Sequence, residues 1–124
     1  MKMILSVGND PPLLRTRNAI LLASGHGVVP AYSATEAIQC FLDGDFDLAI
    51  LCHSLRSKER RLIVATIRYH SPYTPIMLLA AGIAETYDFG DRTVDTSPES
   101  MLAAIPEMLR ASAERMRQDH PQAS

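Results

Sequence analysis

Runs of apolar residues alternate with longer amphipathic segments along this chain of 124 residues. Three of the runs are short and continuous, which is typical of strands buried on both faces of a parallel sheet. Together with two briefer stretches they give five predicted strands, at residues 3–7, 27–31, 48–51, 76–79 and 92–94. Pro30 has no backbone amide donor, so the second strand is expected at an edge of the sheet.

The first two segments between these runs begin with recognisable helix signals. Pro11 and Pro12 suit the first turn of a helix, where no amide donor is needed, and this helix is predicted to end near residue 24. Ser33 and Glu36 form a capping box for a second, shorter helix that ends at Gly44.

The last two helices are predicted at residues 59–69 and from residue 98 onward. Ser97 is expected to cap the last one, and its apolar residues recur at helical spacing. Pro106 lies inside it and is expected to kink or split it, because an interior proline costs about 3 kcal/mol. The inward-facing residues predicted for the helix at 59–69 are Leu62, Ile63, Ala65 and Ile67.

This alternation of strands and helices predicts an α/β fold with a parallel sheet. Parallel neighbours need crossover connections, which are almost always right-handed. A chain of this length with 47% hydrophobic residues has the size of one domain with one core. We assign residues 1–117 to that domain and residues 118–124 to a flexible polar tail.

Charge and cysteine content narrow the class of protein. The net charge of −2 gives no global field that favours nucleic acid or an anionic membrane. The N-terminal apolar run is too short for a signal peptide or a spanning helix. Cys40 and Cys52 lack the spacing of a metal site or a disulfide framework, which indicates reduced thiols in the cytoplasm. Because no Gly-rich phosphate loop, nucleophile elbow or catalytic carboxylate pair occurs, we expect neither enzymatic activity nor a cofactor.

Four local motifs occur in an order that resembles one known family. They are Ile4-Leu5-Ser6-Val7 followed by Asp10-Pro11, Asp47-Leu48-Ala49-Ile50-Leu51, Thr74-Pro75-Ile76-Met77-Leu78, and Ser97-Pro98-Glu99. From residue 4 to about residue 109 the chain resembles the receiver domain of bacterial two-component response regulators. The resemblance implies a flavodoxin-like three-layer fold, with a five-stranded parallel sheet of order 2-1-3-4-5 and helices on both faces. It also implies a single-domain protein of phosphorelay signal transduction.

The positions that carry phosphorylation in this family hold other residues here. Family receivers accept a phosphoryl group on an aspartate at the end of the third strand, helped by Mg²⁺ on an acidic pair after the first strand. A switch hydroxyl and a lysine follow the fourth and fifth strands. The corresponding positions in this chain are Gly8, Asn9 and Asp10 after the first strand, Cys52 after the third, Ala80 after the fourth, and Val94 or Asp95 after the fifth. Mg²⁺ prefers carboxylate oxygens, so the resemblance implies a degenerate phosphorylation site without a metal.

The segment between the fourth and fifth strands is short. Only 14 residues lead from Ala80 to Val94, so the fourth helix that the resemblance implies would be shortened to one or two turns. Aromatic side chains in such a segment either fold back on the core or form a contact patch. The candidate interaction face is Tyr87, Phe89, Arg92 and Met101.

Three functions fit these residues. The first is an atypical receiver domain that acts through protein–protein interaction without aspartyl phosphorylation, with a signalling protein, a histidine kinase or a second copy as partner. The second is a thiol sensor that uses Cys52, with His53 or Arg56 lowering the thiol pKa. The third is a conventional phosphoacceptor receiver. The first is the leading interpretation, with Cys52 as a small buried group that fills the space of the aspartate.

Overall fold

The computed structural model describes residues 2–80 and 90–119 of the chain. Their strands form one sheet in which every neighbouring pair is parallel. The strand order is β2-β1-β3-β4-β5, which confirms the predicted flavodoxin-like topology with the Pro30 strand at one edge. The strands are β1 (Met3–Val7), β2 (Gly27–Ala31), β3 (Leu48–Leu51), β4 (Ile76–Ala80) and β5 (Arg92–Asp95).

Four helices within the described ranges cover the two faces of this sheet. They are α1 (Pro11–Ala23), α2 (Ala34–Asp43), α3 (Ser57–His70) and α4 (Pro98–Asp119). One hydrophobic cluster joins α2 and α3 to the sheet, and a second joins α1 and α4 to the opposite face. Successive strand residues point to opposite faces, so β1 sends Leu5 to the first cluster and Ile4 to the second. The result is a three-layer α/β domain.

The helix caps predicted at Ser33 and Ser97 are confirmed by their hydrogen bonds. The side chain of Ser33 accepts the amide of Glu36 at 3.1 Å, and Oγ of Ser97 accepts the amide of Ser100 at 3.2 Å. Each bond satisfies an amide that has no partner inside the helix. Oε1 of Glu36 reaches back to the amide of Tyr32 at 3.3 Å, one residue before the cap.

The inward face predicted for α3 is partly wrong. Ile63 and Ile67 are buried as predicted, whereas Leu62 is 53% exposed and Ala65 is exposed. Arg60 takes a position on the buried side, and its guanidinium donates to the carbonyl oxygen of His53 at 3.3 Å and to that of Leu55. The buried face is thus formed by Arg60, Ile63, Val64 and Ile67, with Arg60 and Val64 in place of Leu62 and Ala65.

Helix α4 is one continuous helix from Pro98 to Asp119. It continues through Pro106 without being split, because flanking residues such as Ile105 and Met108 are held in the core. It reaches Asp119, two residues past the predicted domain boundary, and residues 120–124 lie outside the described part. No helix within the described ranges has both the length and the apolarity to cross a membrane.

Candidate functional site

The loops that follow β1 and β3 meet at the carboxyl edge of the sheet. Residues 4–7 of β1 pair with residues 48–51 of β3, and the amide of Cys52 extends this pairing by donating to the carbonyl oxygen of Val7 at 2.8 Å. The amide of Asn9 donates to Oγ of Ser54 at 3.0 Å. The predicted site positions after these two strands therefore do lie together, as expected at a switch between crossovers.

A side chain at Gly8 would make tight contacts. A Cβ at this position would lie 3.0 Å from Cβ of Cys52 and 3.3 Å from both Cδ1 of Leu14 and Oγ of Ser54. Cβ of Cys52 is fixed by the backbone, so it cannot rotate away as the end of a long side chain would. A carboxylate at this position, which the resemblance assigns to one member of the acidic pair, would require the end of β1 or of β3 to shift.

Asn9 is engaged in a hydrogen-bond network with the start of α3. Its Nδ2 donates to Oε1 of Glu59 at 3.0 Å, and the same oxygen accepts the amide of Arg56 at 3.0 Å. The bond from the Arg56 amide, followed by that from Asn9, lowers the pKa of Glu59. One carboxylate oxygen thus joins the β1–α1 loop to the first turn of α3.

Asp10 is the remaining carboxylate after β1, and its side chain caps the N-terminus of α1. Its Oδ1 accepts the amide of Leu13 at 3.3 Å, which makes Asp10 the N-cap of α1. An N-cap side chain is held close to the helix amides and takes part in stabilising their partial positive charge.

Cys52 is almost completely buried, with an exposed fraction of 1%. Its sulfur lies 3.5 Å from the amide nitrogen of Ser54 and 3.7 Å from Nδ1 of His53. Both cysteines of the chain are free thiols. Enclosed in this way, the Cys52 side chain has the environment of a small apolar group with weak polar contacts at the sulfur.

The ends of β4 and β5 add no hydroxyl or cation from the predicted positions. Ala80 and Val94 are both buried, and Val94 belongs to the cluster under α4. Asp95 accepts the amide of Ser97 at 2.8 Å and the hydroxyl of Ser100 at 2.8 Å. These bonds, led by that from the Ser97 amide, lower the pKa of Asp95 and use its oxygens to support the start of α4.

The candidate interaction face is only partly available. Met101 is 2% exposed and packs in the core, so its assignment to an interaction face is wrong. It lies on the side of α4 that faces the sheet. Arg92 forms an ion pair with Glu107 at 2.6 Å on an exposed surface. Tyr87 and Phe89 lie outside the described residues.

Within the described ranges, no group of three or more His, Cys, Asp or Glu side chains is arranged to hold a metal ion.

Sequence reasoning missed one participant in this site, Glu59. It follows β3 in sequence but bonds to Asn9, 50 residues away. The signal available in the sequence was a carboxylate three residues after Arg56, the spacing of the second half of a capping box. The partner on the β1 side became identifiable only from the register of the two strands.

Comparisons with known proteins bear on the fold. No protein-family model matches the chain, and no curated protein matches it. Three solved structures share a TM-score of 0.78 with it. The response regulator TrrA from Thermotoga maritima in complex with Mg²⁺-BeF is 24% identical, over 87% of this chain and 99% of that one.

The other two structures come from different organisms. A CheY-like response regulator receiver domain protein from Methanospirillum hungatei is 21% identical, over 93% of this chain and 98% of that one. The signal receiver domain of an HD domain-containing protein from Pseudomonas fluorescens is 22% identical, over 91% and 98%. The described chain therefore has the fold of response regulator receiver domains.

Proposed function

We propose that this chain is an atypical receiver domain of bacterial signal transduction that acts through protein–protein interaction without aspartyl phosphorylation. The observation that carries the proposal is the contact between Gly8 and Cys52. Where the family resemblance implies a carboxylate after β1 and a phosphoacceptor after β3, the backbone of one loop packs against a buried thiol. Neither side chain offers an oxygen that could accept a phosphoryl group or bind Mg²⁺.

The remaining polar groups of the site are already engaged within the protein. Asn9 donates to Glu59, Asp10 caps α1, and Asp95 accepts from Ser97 and Ser100. A phosphorylated aspartate would also need hydrogen-bond donors or a cation around its phosphoryl oxygens. The predicted positions for them, Ala80 and Val94, supply buried apolar side chains.

The two alternative functions have weaker support. A thiol sensor needs an accessible thiolate, and only 1% of Cys52 is exposed. A conventional receiver needs a carboxylate at the end of β3, where the described residues 52–55 are Cys, His, Ser and Leu.

The free thiols are in keeping with a cytoplasmic protein. We assign the chain no catalytic step, and propose that its partner is a signalling protein or a second copy of itself.

Intact mass spectrometry after incubation with acetyl phosphate and Mg²⁺ tests this proposal. We expect the mass of the chain to stay unchanged, since the site has no acceptor carboxylate and no metal ligands. A receiver domain that contains its phosphoacceptor aspartate, mixed into the same sample, serves as the internal positive control. It should gain the mass of one phosphoryl group while this chain does not.

A stoichiometric gain of one phosphoryl group on this chain would overturn the proposal. Repeating the reaction with Cys52→Ala would then identify the acceptor. If the gain persisted in that variant, a carboxylate outside the expected position would be responsible, and the domain would be a conventional phosphorylated receiver. If it disappeared, the thiol itself would be the acceptor.

A further inference from the structure

Helices α2 and α3 lie side by side on one face of the sheet and present three exposed large apolar side chains. Leu42 is 50% exposed, Leu62 is 53% exposed and Tyr69 is 83% exposed. The two helices bury their inner faces in the same cluster, so these residues lie on the outer side. We call this surface, formed by the outward side chains of α2 and α3, the α2–α3 face.

The charges on this face are divided between the two helices. Residues 33–47, which contain α2, carry four acidic side chains and no basic one; residues 53–70, which contain α3, carry five basic side chains and one acidic one. The exposed members of the two sets are Glu36, Asp43 and Asp45 on the α2 side and Arg56, Lys58 and Arg61 on the α3 side. Burial is the main cause of the raised pKa of Cys40 on α2, and the negative charges of Glu36 and Asp43 raise this pKa further. Their effect reflects the negative potential around α2.

Such a division makes the α2–α3 face complementary to itself. Two copies related by a two-fold axis that runs parallel to the helices, between α2 and α3, would place α2 of each copy on α3 of the other. In each half of the contact Glu36, in the first turn of α2, then lies opposite the basic residues Arg56, Lys58 and Arg61 at the start of α3. A two-fold axis perpendicular to the helices would instead place α2 on α2 and α3 on α3, and like charges would repel.

The apolar residues fit the same arrangement. Leu42 and Tyr69 both lie in the last turn of their helices, at the same end of the domain. The two-fold axis parallel to the helices keeps that end aligned, so Leu42 would meet Tyr69 of the partner subunit. A cavity of about 310 Å³ opens beside them and is lined by Leu42, Phe46 and His70 among others, which leaves room for a side chain of the second copy.

We propose that the α2–α3 face is the surface through which two copies of this chain associate, with the acidic α2 of each copy packed on the basic α3 of the other. This inference deepens the proposed function, since it rests on a domain that acts by protein–protein interaction and names a second copy as the partner. Interface centres are enriched in aromatic anchors, and complementary charges around them favour the correct partner and register.

Charge substitution followed by analytical ultracentrifugation tests the proposal. Glu36→Gln removes the acidic charge that faces the start of α3 in the partner subunit, and Lys58→Glu lowers the exposed positive charge at the start of α3 from three to one. We expect each variant to weaken the dimer by about tenfold or more. An equimolar mixture of the two variants should form a stronger dimer than either variant alone, because one half of the mixed contact keeps the wild-type residues on both sides.

Both substitutions are compatible with folding. Glu36→Gln keeps a side-chain oxygen that can accept the amide of Tyr32, and Lys58→Glu places an anion in the first turn of α3, where it suits the helix dipole. As an apolar test, Tyr69→Ser should also weaken the dimer by about tenfold or more. Leu22→Ser is the matched control, because Leu22 is 57% exposed on α1, which covers the opposite face of the sheet, and we expect its dimer to be unchanged.

A wild-type chain that stays monomeric at a concentration of about 1 mM would overturn self-association, because interfaces of standard size have dissociation constants of about 1 μM or lower. A different protein would then be the occupant of the face. A dimer that survives both charge substitutions and Tyr69→Ser would overturn the choice of this face. These samples contain no phosphoryl donor, so either result leaves the phosphorylation test of the proposed function unaffected.

Discussion

Gly8 and Cys52 define the candidate site at the scale of single residues. Gly8 does not have a positive φ, so its backbone conformation is open to any residue. Glycine is favoured here by the close approach of Cys52, the residue after β3, which leaves 3.0 Å between a Cβ at position 8 and Cβ of Cys52. The two residues therefore form a matched pair in which the loss of one side chain makes room for the other.

Gly8→Ala should destabilise the domain by about 1–3 kcal/mol, because relieving the contact requires a backbone shift at the end of β1 or β3. Alanine also restricts the unfolded chain, which is worth about 0.4–1 kcal/mol in the opposite direction. We expect the steric cost to be larger, since the nearest atom is a fixed Cβ. The midpoint of urea denaturation measures the difference.

Cys52→Gly supplies the control for that prediction. Without Cβ of Cys52 the methyl group of Gly8→Ala has more room, so the same substitution should cost at least about 0.5 kcal/mol less in the Cys52→Gly background. Equal costs in the two backgrounds would show that the contact with Cys52 does not determine the effect.

At the scale of elements, strands were easier to predict than the rotational phase of helices. The five strands lie within one residue of their predicted ends, because apolar runs bounded by turn residues allow few other readings. The residues 62–65 of α3 are Leu-Ile-Val-Ala, four consecutive apolar side chains that surround the helix. Periodicity alone cannot choose which of them face inward, and the choice is made by packing on the sheet and by Arg60 reaching two loop carbonyls.

Pro106 in α4 gives a prediction about helix stability. It removes one backbone hydrogen bond from a helix that is continuous over 22 residues, and its own side chain is exposed. Pro106→Ala should therefore raise the free energy of unfolding, by up to about 3 kcal/mol, because no buried contact is lost. Thermal and urea denaturation measure the change.

Arg110→Ala is the matched control for this substitution, because Arg110 is also exposed and lies one turn further along the same helix. It should change stability by less than about 0.5 kcal/mol. If Pro106→Ala proved destabilising, the proline would have to contribute contacts that offset the missing hydrogen bond.

At the scale of the whole molecule, the site depends on contacts between distant parts of the chain. Convergence of the loops after β1 and β3 followed from the topology, since the carboxyl ends of parallel strands share one edge. The specific pairing of Asn9 with Glu59, 50 residues apart, did not follow, because it depends on the strand register and on α3 beginning at Ser57. The positions of the site were thus predictable, and its hydrogen bonds were not.

Glu59 joins these distant segments and should make the stability of the whole domain depend on pH. The Arg56 amide, and then Asn9, lower the pKa of Glu59 in the folded chain. A carboxyl group of this kind stabilises the fold above its unfolded pKa of about 4.3, and this contribution disappears as the pH falls through the lowered pKa. At neutral pH the contribution is present in full.

Glu59→Gln keeps the shape of the side chain and removes its charge. At pH 7 we expect the variant to be less stable than the wild type, by less than about 1 kcal/mol because the group is partly exposed to solvent. Below about pH 4 the difference should shrink toward zero, since protonated Glu59 has no charge to lose. Urea denaturation at several pH values between 7 and 3 measures it. Glu114→Gln, whose wild-type carboxylate forms an ion pair with Arg117 on the same helix, controls for the general loss of a negative charge. A difference that stayed constant over this range would show that the charge of Glu59 does not hold the two loops together.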